Sequence, residues 1–125
     1  MGLCLTLKKN ETIYLWTGQQ QDVDELVALS LNNSSKEDGY NLTIYRDGKD
    51  PYQLRMGGAA SKDTLMLLND DIVSRIQMKS VSRDKLKMIL AADDGVHILH
   101  KKERYNGDFI PPEWKCTPVK MADRL

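Results

Sequence analysis

The sequence predicts a mainly β, α+β fold: a small antiparallel sheet with an inserted helix and β-hairpin. Three observations carry that expectation. Short segments alternate between apolar and polar residues, turn residues separate them, and one stretch departs from alternation to helical spacing. The 125 residues suit a single domain, and 41% hydrophobic with 29% charged residues is a globular balance.

In residues 3–7, Leu3, Leu5 and Leu7 alternate with Cys4 and Thr6, and Lys8-Lys9-Asn10 turns the chain. Residues 12–16 are rich in β-branched and aromatic types, so the segment 3–16 reads as a hairpin. Asp22 with Glu25 three residues on forms an Asp-led capping box. Val23, Leu26, Val27 and Leu31 then fall on one helical stripe, which predicts a helix ending near Asn32-Asn33. Residues 40–46 and 52–56 alternate on either side of Asp47-Gly48-Lys49-Asp50-Pro51, a hairpin with a loop of turn formers. Gly57 to Ser61 carry no large side chain, and residues 64–68 suit helix or strand equally. Residues 72–81, 86–90 and 96–101 alternate between turns that contain Asp or Gly; counted with 64–68, four strands in about 40 residues indicate an antiparallel meander. Pro111-Pro112 and Pro118 predict an extended tail over 106–125.

Charge divides the chain more sharply than its zero total suggests. Residues 1–16 are net +1, residues 17–71 net −5, residues 72–105 net +4, and the tail is neutral. The basic blocks flank an acidic one, which is the first sign of organisation. Cys4 and Cys116 have no metal-ligand spacing and are too few for a disulfide scaffold, so a reduced, cytoplasmic protein is expected. No apolar run reaches the length of a membrane span, and residues 1–7 lack the features of a secretory leader.

Motifs for catalysis are missing from the sequence. There is no Gly-x-Ser-x-Gly, no Gly-Lys-Ser/Thr, and Gly57-Gly58 lacks the lysine of a phosphate loop. Asp22, Asp24 and Glu25 are accounted for by helix capping, and Asp70-Asp71 and Asp93-Asp94 by turns. His97 and His100 are three apart in a strand and point to opposite faces, so they do not share a metal. Tyr14, Trp16, Tyr40, Tyr45 and Tyr52 read as core or rim residues. Phe109 and Trp114 read as caps on a sheet face or as a docking peptide.

The run Leu3-Cys4-Leu5-Thr6-Leu7-Lys8-Lys9-Asn10-Glu11-Thr12 resembles the opening of the carbon storage regulator family, small bacterial RNA-binding proteins. Asp70-Asp71-Ile72, the strand 85–90, Leu99-His100-Lys101, Glu103 and Tyr105 are similar to the rest of that short domain. The resemblance covers residues 1–16 and 70–105, and leaves 17–69 as an insertion without counterpart. It implies an interleaved homodimer and RNA contacts from Leu5, Thr6, Lys8, Lys9, Leu99, His100, Lys101, Lys102 and Arg104. The bases among them converge if the first and last strands are neighbours, as in the resembled fold. Three departures weaken the site. The family's two arginines near the first turn fall on Leu7 and Lys8, its last-strand arginine falls on Lys101, and its C-terminal helix is replaced by the proline-rich tail. Lysine keeps the charge but loses the planar fork of arginine.

The expectation is therefore a non-enzymatic, cofactor-free regulator of translation that binds single-stranded or hairpin-loop RNA as a homodimer. The alternative is a protein-interaction or inhibitor module on the same scaffold, of the kind an accessory protein of a phage or mobile element uses, with the acidic insertion as its contact face.

Overall fold

A computed structural model describes residues 2–19, 22–46, 48–56, 64–68, 73–92, 95–109 and 119–120. The turns expected at Asn69-Asp70-Asp71 and Asp93-Asp94, the Gly57–Ser61 stretch, and Pro111, Trp114 and Cys116 lie outside them.

The described chain is all β. In order it forms β1 (Gly2–Lys8), β2 (Thr12–Gln19), β3 (Asp22–Ser35), β4 (Gly39–Arg46), β5 (Lys49–Met56), β6 (Thr64–Leu68), β7 (Val73–Ser82), β8 (Lys85–Ala92), β9 (His97–Lys101), β10 (Asp108–Phe109) and β11 (Val119–Lys120). A first sheet has the order β1-β8-β7-β6, and a second the order β5-β4-β3-β2-β9. Every ladder in them is antiparallel, and β10 pairs with β11 in a separate ribbon.

The two sheets pack face to face. Leu7, Ile76, Val81, Leu86, Met88 and Leu90 come from the first sheet. They join Ile13, Leu15, Val27, Leu29, Leu31, Tyr40, Leu42 and Ile44 of the second in one buried cluster. Tyr14, Trp16, Leu26 and Ala28 form another cluster, with Tyr45, Leu99 and Tyr105 against it. Since Tyr14 alternates with Ile13 and Leu15, this second cluster lies on the far face of the second sheet.

The helix expected from Asp22 is strand β3, and the reason is burial on both faces. Residues 26–31 are all buried, with Val27, Leu29 and Leu31 toward the first sheet and Leu26 and Ala28 away from it. A strand covered on both sides reads as a continuous apolar run, which helical spacing imitates over so short a stretch. Fully burying each leucine is worth about 1.5–3 kcal/mol, more than the few tenths a helix propensity supplies. Segment 17–69 is consequently no appendage: β3 and β4 sit inside the second sheet and supply much of its core.

Two pairings differ from the expected hairpin and meander. Strands β1 and β2 do not pair; the 8–11 turn is a corner that carries the chain from one sheet to the other. Leu7 and Ile13 thereby bury on facing layers. β6, β7 and β8 do form a meander, but β9 leaves it to pair with β2. The β4–β5 hairpin forms, with Leu42 opposite Leu54, but its connection is shorter than the expected loop over 47–51: β5 begins at Lys49, which pairs with Arg46 and brings Lys49, Asp50 and Pro51 into the strand.

Candidate nucleic-acid interface

The corner between the sheets is built by Glu11. Asn10 takes a left-handed backbone (φ 70°), which asparagine tolerates better than most residues, and the Glu11 N–H donates to the Lys8 carbonyl at 3.0 Å. The Glu11 carboxylate turns back to accept the Lys8 N–H at 3.1 Å and His100 Nε2 at 2.8 Å. Burial pushes the Glu11 carboxyl upward, but the Lys8 N–H, the His100 hydrogen bond and the charges of His100 and Lys8 outweigh it, and the group ends below its ordinary value. It is therefore an ionised acceptor, and His100 Nε2 is the donor.

A second set of bonds ties the segment after β9 to the same corner. The Thr12 hydroxyl donates to the Glu103 carbonyl at 3.0 Å, and the Asn106 N–H donates to the Tyr14 phenol oxygen at 2.9 Å. Burial raises the Tyr14 phenol, with Asn106 opposing, so it stays neutral. Tyr105 stacks on Tyr45 with ring centres 3.6 Å apart and planes 4° from parallel. Beside that stack is a cavity of about 350 Å³ lined by Asn10, Ser30, Asn32, Tyr45, Arg104 and Tyr105, among others.

The structure divides the residues expected to contact RNA. Lys8, Lys9, Lys102 and Arg104 are exposed. Thr6 is also exposed, on the outer face of the first sheet opposite Lys87. Leu5 packs against the main core, and Leu99 against the far-face cluster. His100 is occupied by Glu11, and Lys101 lies opposite Thr12 with its Nζ 3.4 Å from Glu103. The first and last major strands are not neighbours: β1 pairs with β8 and β9 with β2. Lys8 and Lys101 therefore stand on different sheets, and not on neighbouring strands as expected.

What Lys8 meets instead is a row of bases that sequence reasoning left outside the site. Lys8 is directly opposite Lys85, and Thr6 is opposite Lys87. Both lysines of β8 are exposed, because Leu86, Met88 and Leu90 take the inner face. Arg75 and Lys79 of the adjacent β7 are exposed as well, the latter in the bulge between Met78 and Ser80. None of these five bases has an ion pair among the described residues. The Lys85-Leu86-Lys87-Met88 alternation was the available signal, and only the β1–β8 pairing shows that Lys8 joins it.

Among the described residues no group of three His, Cys, Asp or Glu side chains is placed to hold a metal. No helix of the described residues is long and apolar enough to cross a membrane. The class defined is an antiparallel, two-sheet β protein with one strongly basic sheet face. No protein-family description, curated protein or solved structure matches the chain.

Proposed function

We propose that the protein binds RNA, as a single strand or a hairpin loop, on the outer face of the first sheet, and so regulates translation without doing catalysis. The observation that carries this reading is the opposition of Lys8 and Lys85, extended by Lys87, Lys79 and Arg75. Like charges directly opposite in a sheet are unfavourable, typically by a few tenths of a kcal/mol to about 1 kcal/mol. An anionic strand lying across them removes that repulsion and releases its own counterions.

The surroundings favour a single strand over a duplex groove reader. The basic face is a sheet, with no helix among the described residues to enter a major groove. Cys4, Thr6, Gln77 and Ile89 lie among the bases on the same face, a mixed polar and apolar surface against which bases can rest. The resemblance of residues 3–12 to carbon storage regulators points the same way.

The experiment is fluorescence anisotropy with labelled RNA, one unstructured oligonucleotide and one hairpin, at low salt. Binding that weakens when Lys85 and Lys87 are both replaced by glutamine supports the reading. No affinity for either RNA at low salt overturns it. Capture of a protein partner with no RNA affinity would favour the interaction-module alternative.

A further inference from the structure

The two sheets contain the same arrangement twice. Replace β1, β6, β7 and β8 by the strands four places away in the chain, and the order β1-β8-β7-β6 becomes β5-β4-β3-β2, which is the second sheet without β9. The first strand of each set crosses to the sheet of the other: β1 pairs with β8, and β5 with β4.

The registers agree as closely as the order does. Ile13 faces Leu29, which faces Ile44; Leu65 faces Ile76, which faces Leu90. β3 has a bulge between Leu31 and Asn33 where it meets Leu42 and Asn41. β7 has one at the corresponding point, between Met78 and Ser80 where it meets Met88 and Lys87. A slip of one residue in any ladder would turn its apolar set outward, so matching registers and matching bulges are a stringent agreement.

The match of backbone does not extend to charge. Placed by these registers, Lys85 corresponds to Gly39, Lys87 to Asn41, Arg75 to Ala28 and Lys79 to Asn32. In the sequence, Lys8 follows Leu7 as Gly57 follows Met56, the residue that β5 aligns with Leu7. The basic face has thus been built on one of two equivalent sheets.

We infer that the chain is a tandem repeat of one four-stranded unit, β1–β4 and β5–β8, whose reciprocal strand exchange makes a single chain complete, and that it presents one polyanion-binding face per chain. A single copy does what would otherwise take two, in place of the homodimer that the resemblance implies. The claim of one binding face rests on the RNA reading above; the claim of self-sufficiency does not.

The test separates the two. Cys4 lies opposite Ile89 on β1 and β8, a spacing that a disulfide spans, so Ile89→Cys in a chain with Cys116→Ser reports which chain supplies β1. After oxidation we expect an intrachain disulfide and a mass of 14.2 kDa on a non-reducing gel. Light scattering of the unaltered protein at micromolar concentration should give the same mass, and remains decisive if the variant does not fold. Titration of the unaltered chain with a short single-stranded RNA should saturate at one per chain. A covalent dimer, or twice the mass in solution, overturns self-sufficiency. Saturation at two RNAs per chain overturns the single face while leaving the repeat. Absence of RNA binding with an intrachain disulfide overturns the functional reading and its single face, and supports the self-sufficient repeat.

Discussion

Lys8 and Lys85 occupy the last shared position of the β1–β8 ladder, side by side on an exposed face with no ion pair among the described residues. Stability alone does not favour that pairing. It predicts that function and stability part company here. Lys85→Glu should stabilise the fold by up to about 1 kcal/mol, the range for an opposite-charge cross-strand pair. The same change should weaken RNA binding. Thermal unfolding and anisotropy on one sample check both signs.

Glu11 gives a pH prediction. Its carboxyl sits below its ordinary value of 4.5 in the folded chain, so the stability it contributes is present above that value and is lost as pH falls through the lower, folded one. Glu11→Gln should therefore lower stability at neutral pH and flatten the loss that sets in as pH falls below 4.5. Urea midpoints measured above and below that value test it. A variant with the unaltered acid profile would mean that the Glu11–His100 contact is not formed in solution.

Strands β3 and β4 are central, and the core should respond accordingly. Leu42→Ala removes a fully buried side chain and should cost about 2–5 kcal/mol. Deleting residues 19–62 strips β3, β4 and β5 from the second sheet and uncovers the inner faces of β2 and β8, so the product should aggregate. A soluble, β-rich deletion product would show that the sheets do not depend on each other.

The strands were legible where one face is wet. Residues 3–7 and 85–90 alternate because their outer side chains, among them Thr6, Lys85 and Lys87, are exposed, and each is a strand; 40–46 keeps its alternation although Thr43 on its other face is buried, because that face carries small or amphipathic residues. Asp22–Ser35 was not legible, since both faces are covered over residues 26–31 and period two disappears from that apolar run. Sheet membership was hidden too. The corner at Glu11 and the departure of β9 depend on long-range pairing that no local pattern encodes. For the candidate site, Lys8 and Lys9 were readable from their strand-end position, whereas Lys85 and Lys87 became partners of Lys8 only through the β1–β8 register. The repeat is not legible in the sequence because its two units share apolar register rather than residue identity; an acidic residue followed by a threonine that opens a strand, Glu11-Thr12 and Asp63-Thr64, is its faint trace.

The most direct test of the basic face is the salt dependence of RNA affinity in three proteins. These are the unaltered chain, a Lys85→Gln/Lys87→Gln variant, and a Lys36→Gln/Arg55→Gln control that removes the same charge from exposed positions beside and on the second sheet. Each phosphate contact on a single strand contributes a slope of about 0.7 in log K against log salt. The Lys85/Lys87 variant should bind more weakly with a slope shallower by about 1.4, and the control should match the unaltered chain. Equal losses in the two variants would contradict the account by reducing the binding to diffuse attraction, and a chain with no RNA affinity at low salt would contradict it outright.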